Sequence, residues 1–209
     1  TLGVITEVTL KLYPLPEAVS AAICHFKDIA GAVNATIQLT QVGVPIARCE
    51  LLDVNAVRAV NAQSRLGLRE SPMLLMEFHG SAASVKEQAE TVQAIASDMG
   101  GENFEWASTP EERTRLWAAR HKAYFAGMQL NPGCRSVTTD TCVPIAKPAE
   151  IINLSVADAD ASGLPYYIVG HVGDGNLHLA YLVKEGDASQ RALAEAMSER
   201  MVQRAIALE

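Results

Sequence analysis

Two histidines, His171 and His178, stand on either side of the short run Val172-Gly173-Asp174-Gly175-Asn176-Leu177. Paired imidazoles can ligate a divalent metal or move a proton. Upstream, Tyr166-Tyr167-Ile168-Val169 reads as a strand, and so does the stretch from Leu177 to Val183 downstream. Asp-Gly between two such runs predicts a two-residue hairpin turn, because that turn needs positive φ at both central positions. With Asp174-Gly175 as the turn, Gly173 pairs with Asn176, Val172 with Leu177 and His171 with His178. A four-residue loop from Gly173 to Asn176 keeps this register. Directly opposed residues have Cβ atoms about 4.5–5.5 Å apart, so both rings can reach one cation and supply two of its ligands. The plainer alternative is a hairpin that carries two histidines without further purpose.

A second group lies on a helix that opens at Thr109-Pro110-Glu111-Glu112, where a capping hydroxyl, a proline and two acids mark the first turn. Within it Trp117, Arg120 and Tyr124 fall at i, i+3 and i+7 and share a face. An arginine held between aromatics can grip a carboxylate through two parallel hydrogen bonds; its bland counterpart is a surface arginine over core rings. His121 sits about a hundred degrees round the helix from Arg120 and reads as structural. His25 and His79 have no partners nearby in sequence. Thr138 and Asp140 alternate along the strand after this helix and could approach the hairpin, although polar residues on a sheet surface are the ordinary case. Cys24, Cys49, Cys134 and Cys142 form no CxxC pair, and no Gly-x-Ser-x-Gly elbow is present.

The elements that must position these groups alternate. Strands are expected at Val4 to Leu12, Val19 to Phe26, Ile46 to Leu52, Met73 to His79, Glu102 to Ala107 and Arg135 to Val143. Helices are expected from Asp28 to Val42, Val54 to Leu66, Ser84 to Met99, Thr109 to Leu130 and Pro148 to Ala161. A last helix has Leu193, Met197, Met201, Ala205 and Leu208 at helical spacing. The strands half-alternate, which suits an antiparallel sheet covered by helices on one face. The rhythm predicts an α+β fold of ferredoxin-like type, duplicated along the chain; a doubly wound parallel sheet is the runner-up and lacks a GxGxxG fingerprint. The net charge of −7 over 209 residues, with no Lys/Arg cluster, excludes a nucleic-acid surface. No apolar run approaches the roughly 20 residues of a spanning helix. Pro14 and Pro16 mark a domain junction. A first residue that is not Met and a last helix without a cap make this read as a piece of a longer polypeptide.

Three segments, in order, resemble the FAD-linked oxidases related to cytochrome-linked D-lactate dehydrogenase and the glycolate oxidase flavoprotein subunit. They are Thr1-Leu2-Gly3-Val4-Ile5-Thr6-Glu7, then Leu116-Trp117-Ala118-Ala119-Arg120-His121-Lys122-Ala123-Tyr124. The third joins Thr139-Asp140-Thr141-Cys142-Val143-Pro144 to Gly170-His171-Val172-Gly173-Asp174-Gly175-Asn176-Leu177-His178. The resemblance implies that residues 1–16 end an FAD-binding domain and that 17–209 form a substrate-binding cap, truncated at its C-terminus. His171 and His178 would be metal ligands with a catalytic part, for zinc or manganese. Arg120 and Tyr124 would contact substrate, and Thr1, Leu2, Gly3, Val4 and Ile5 would contact flavin. A third metal ligand and the base would lie beyond Glu209.

The implied reaction is oxidation of a small 2-hydroxy acid, of D-lactate or glycolate type, to the 2-oxo acid with hydride transfer to FAD. The electron acceptor would be a cytochrome, quinone or flavoprotein, and a homodimer is an assembly the resemblance allows. The expected setting is cytoplasmic, with membrane association of the full-length protein left open. Two rivals stand beside this reading: a metal-dependent hydrolase using the same hairpin, and a non-catalytic ferredoxin-like binding or dimerisation module.

Overall fold

The structure is a computed structural model that describes residues 3–107 and 109–208, the Ala119 side chain apart. Its elements run β1 (Ala18–Phe26), α1 (Ile29–Gln41), β2 (Ile46–Leu52), α2 (Val54–Ser64), β3 (Met73–Gly80), α3 (Ala82–Asp98) and β4 (Gly101–Ala107). They continue with α4 (Pro110–Gln129), β5 (Cys134–Thr138), β6 (Thr141–Cys142), α5 (Pro148–Ser162), β7 (Tyr166–His171), β8 (Asn176–Lys184) and α6 (Ala188–Ala207). The helix starts follow from local chemistry. Asp28, Asp53, Ser81, Thr109 and Asp187 each cap a helix by accepting a backbone N–H, and Thr109 with Glu112 completes a capping box.

All strands join one antiparallel sheet in the order β4-β1-β3-β2-β7-β8-β5, with β6 also on β8. The first four strands, in the order β4-β1-β3-β2 with α1 and α3 as crossovers, make a ferredoxin-like unit into which α2 is inserted. The later strands repeat the arrangement: β5/β6, α5, β7, β8, α6, with β8 between β5 and β7. The units meet where their second strands pair, Leu51 opposite Gly170 and Leu52 opposite Val169. Duplication is therefore a fact of topology.

Helices cover both faces, not one. Ala22, Cys24, Leu51, Leu74, Met76, Ile168, Leu179 and Tyr181 bury one side of the sheet under α1, α3, α5 and α6. Ile23, Leu52, Met73, Leu75, Tyr167, Val169, Ala180 and Leu182 bury the other under α2 and α4. Alternation along a strand cannot distinguish a polar face from a face covered only at its middle, and that is why one face was expected to be bare. Gly127 lets α4 lie directly on the sheet, since a Cβ there would overlap the Tyr167 ring.

Three other expectations change. Residues 3–16 form no strand, and Val4, Ile5, Val8, Leu10, Leu12 and Leu15 are exposed. A strand needs a neighbour for its N–H and C=O groups, and none lies beside this segment among the described residues. The strand from Arg135 to Val143 is broken at Thr139-Asp140, where the Thr139 hydroxyl and backbone N–H both bond to the Leu179 backbone. On α6 the core face is Ala194, Met197, Met201 and Ala205, with Leu193 turned outward.

Candidate active site

The two histidines end up on the face that carries α2 and α4, but not directly opposite one another. His171 pairs with Asn176 and Val169 with His178, a slip of two residues from the expected register. A slip of two leaves each side chain on its original face, so the rings still meet, 5.6 Å apart between centroids and nearly perpendicular. The longer loop has a packing cause. Val172 is fully buried in the core of the opposite face, which turns Val172–Asp174 into a 3-10 turn in place of ladder. Gly175 closes it at φ +76, and its carbonyl accepts from Val143 N–H at 3.1 Å. A Cβ at Gly175 would run into the Val143 carbonyl oxygen.

One further step along the β2–β7 register sets Glu50 across from His171. Its Oε1 lies 2.7 Å from His171 Nδ1. Its Oε2 accepts a hydrogen bond from Arg120 Nε at 3.0 Å and lies 2.9 Å from Arg120 Nη2 in the same ion pair. Both partners are largely enclosed, with side-chain exposures of 11% for Glu50 and 13% for Arg120. His178 Nδ1 lies 3.3 Å from the Thr139 carbonyl oxygen and 3.5 Å from Asp140 Oδ1. Asp140 is further held by Asn176 Nδ2 at 2.9 Å, so the strand break brings it to the hairpin.

These contacts fix the tautomers. A carboxylate or carbonyl oxygen only accepts, so in the neutral rings the proton of each imidazole sits on Nδ1. The lone pair is then on Nε2, and neither Nε2 has a hydrogen-bond partner among the described residues. This is how metal-binding histidines are held, with the second ring nitrogen donating to a carboxylate or a carbonyl. Two donors do not complete a divalent site, and among the described residues no group of three or more His, Cys, Asp or Glu is placed to hold a metal ion.

Arg120 is thus present at the site, held differently from the expectation. Trp117 is buried and carries the guanidinium of Arg48 over its ring at 5.0 Å, while Arg48 also faces Glu77 at 3.6 Å. Glu77 accepts from His79 Nε2 at 2.8 Å. Tyr124, one turn beyond Arg120, is half exposed and meets Phe125 edge-on. No hydrogen bond or ring contact ties it to the histidines among the described residues. Thr1 and Leu2 lie outside the described residues, and Gly3, Val4 and Ile5 belong to the exposed leading segment. His121 is exposed beside Trp117, and His25 is buried against Ser71. Burial pushes the Cys49 thiol up to about 12 and that of Cys24 to about 11, which leaves both unreactive.

Glu50 is the residue that sequence reasoning passed over. Its signal was available: a carboxylate inside Cys49-Glu50-Leu51-Leu52, an otherwise apolar strand end, must be paired if buried.

Fold and site together define an antiparallel, two-unit α/β domain with a carboxylate-organised Arg/His cluster. The chain belongs to the family described as "FAD linked oxidases, C-terminal domain", which it matches over residues 15–209. Along its whole length it is 42% identical to a probable mitochondrial D-lactate dehydrogenase of Danio rerio, covering 42% of that protein. It is 37% identical to a mitochondrial D-lactate dehydrogenase (cytochrome) of Arabidopsis thaliana, covering 37% of it. Over 183 residues it is 31% identical to the glycolate oxidase subunit GlcD of Bacillus subtilis (strain 168), covering 85% of this chain and 38% of that subunit. The chain therefore spans about two fifths of these relatives. Among solved structures, 4-ethylphenol oxidase from Gulosibacter chungangensis superposes with a TM-score of 0.65 at 13% identity, over 93% of this chain and 45% of that one. An alkyldihydroxyacetonephosphate synthase gives 0.64 at 15%, over 92% and 40%. These two likenesses show the fold.

Proposed function

We propose that this chain is the substrate-binding cap of an FAD-dependent D-2-hydroxy-acid dehydrogenase of D-lactate or glycolate type. The observation that carries the reading is that Glu50 joins Arg120 to His171, with the His178 ring against His171, in a chain of this family. Glu50 occupies the Nε/Nη2 edge of Arg120 and leaves Nη1 without a hydrogen bond among the described residues. The end-on Nη1/Nη2 fork is thereby available for a substrate carboxylate.

His171 and His178 would be two of the ligands of a divalent metal, zinc or manganese. Such a metal would supply a Lewis acid next to the 2-hydroxyl. FAD, the cofactor of the family, would supply the hydride acceptor. The work of the cap is to orient: Arg120 fixes the carboxylate end, the imidazoles fix the hydroxyl end, and the α4 face limits water. Tyr124 belongs to the substrate wall by its place one turn from Arg120. Gly3, Val4 and Ile5, with Thr1 and Leu2, extend the flavin-contacting surface; exposed apolar side chains at Val4 and Ile5 suit a covered surface.

The division into residues 1–16 and 17–209 is supported by Pro14, Pro16 and the start of β1 at Ala18. Cytochrome is the favoured acceptor class because a relative's name includes it. Among the described residues no helix is long and apolar enough to cross a membrane, and the cytoplasmic setting and a homodimer stay part of the proposal. Family membership favours this reading over a hydrolase or a non-catalytic module.

The test uses the full-length, FAD-loaded protein. Arg120→Met and His171→Ala are each expected to lower kcat/KM for D-lactate and glycolate on the order of a hundredfold or more, equivalent to the loss of roughly 3 kcal/mol of transition-state binding. Unchanged values in both variants, with flavin still bound, overturn the assignment.

A further inference from the structure

We propose that Glu50 is the positioning residue of this site, a single carboxylate that fixes both the tautomer of His171 and the direction of the Arg120 fork. The inference rests on the functional reading above, and its first readout needs no substrate.

The geometry divides the work between the two oxygens. Oε1 takes His171 Nδ1 at 2.7 Å, and Oε2 accepts from Arg120 Nε at 3.0 Å with Nη2 beside it at 2.9 Å in the ion pair. Because the Nδ1 proton of His171 is held by an oxygen that can only accept, the ring's lone pair is confined to Nε2. Because the guanidinium is planar, occupation of its Nε edge also sets the plane and direction of the remaining fork. One rigid group thus fixes the spacing between the atom that grips a carboxylate and the atom that faces a hydroxyl. Those two groups sit on adjacent carbons of a 2-hydroxy acid, so a common anchor gives their receptors the same constancy.

Among the described residues neither receptor has a second hydrogen-bond holder. His171 is nearly half exposed, its ring meets His178 edge-on, and among the described residues Arg120 makes no hydrogen bond except to Glu50. His178 is independent of Glu50, since its Nδ1 is served by Thr139 and Asp140, and it serves as an internal control.

The experiment is long-range proton–nitrogen NMR on the metal-free, full-length protein labelled with 15N at histidine, at a pH where the rings are neutral. His171 and His178 are assigned by single substitutions. Wild type is expected to show both rings protonated at Nδ1. Glu50→Leu removes both acceptors and is expected to move His171 towards the Nε2-protonated form while His178 keeps its wild-type pattern. A folded Glu50→Leu whose His171 stays protonated at Nδ1 overturns the proposal.

Glu50→Gln guards against a variant that does not fold. Its amide has one accepting end, so either the His171 tautomer shifts or Arg120 loses its anchor. In the second case KM for D-lactate rises by about tenfold or more with a smaller change in kcat. Wild-type tautomer together with wild-type KM in Glu50→Gln also overturns it. A His171 shift in a protein that oxidises no 2-hydroxy acid keeps the positioning role and removes the functional reading, so the two failures are distinguishable.

Discussion

Removing Arg120 alone should be far more harmful to stability than removing it together with its partner. In Arg120→Met, Glu50 keeps the hydrogen bond from His171 but loses the one from Arg120 Nε together with the guanidinium charge beside it, at a place where both side chains are about nine-tenths enclosed. Breaking a buried ion pair from one side costs about 3–5 kcal/mol. The surviving His171 bond places this case near 3. In Arg120→Met/Glu50→Met no uncompensated charge remains, the methionines fill similar volume, and the half-exposed His171 can turn to water. The double variant should therefore recover about 2 kcal/mol or more relative to Arg120→Met. Urea unfolding of the full-length protein with a common slope across the variants measures this as a shift in midpoint. Two single losses that simply add in the double variant would refute the reasoning, because Arg120 and Glu50 would then not be answering each other's charge.

Three further outcomes follow from single positions. Asp53, the buried cap of α2, has its carboxyl raised by burial from 3.8 to about 7, against the opposing pull of the Ala56 and Ile168 backbone contacts. The folded state binds that proton more tightly than the unfolded state, so the contribution is full at low pH and lost as pH rises through about 7. Its ceiling is about 4 kcal/mol. Asp53→Asn keeps the capping oxygen, and its stability between pH 5 and 8 should be flatter than wild type; parallel profiles would contradict this. Gly127→Ala pushes a methyl into the Tyr167 ring and should cost about 1–3 kcal/mol by the same unfolding assay, with no loss speaking against the close approach of α4. Gly175→Ala adds a Cβ at positive φ against the Val143 carbonyl and should lower both stability and hydroxy-acid turnover; a neutral result would mean that the hairpin turn is not under this constraint.

Much of this arrangement was legible in the sequence. Caps at Asp28 and Thr109 and the Pro148 start were read from residue types alone, and β2 was placed at its observed limits, Ile46 to Leu52. Duplication was legible as a rhythm of elements, not as repeated residues. The hairpin register failed at Val172, since a valine destined for the opposite core looks identical to a valine in a ladder. The slip of two preserved the face, which is why the histidine pair survived the error. The leading alternation from Val4 to Leu12 failed for a different reason: periodicity reports how a strand would divide its faces, not whether a neighbour is there to complete its hydrogen bonds. Arg120 was found, but its carboxylate holder was not, because the guanidinium is paired with a residue 70 positions away in sequence.

The central claim is that Arg120 and the two imidazoles present one 2-hydroxy acid to flavin. Anaerobic stopped-flow mixing of the FAD-loaded, full-length protein with D-lactate tests it most directly. Wild type should bleach the oxidised flavin band in a single turnover, and Arg120→Met and His178→Ala should slow that bleaching on the order of a hundredfold or more. Bleaching at the wild-type rate in both variants, or none in wild type with any small 2-hydroxy acid, would contradict the account.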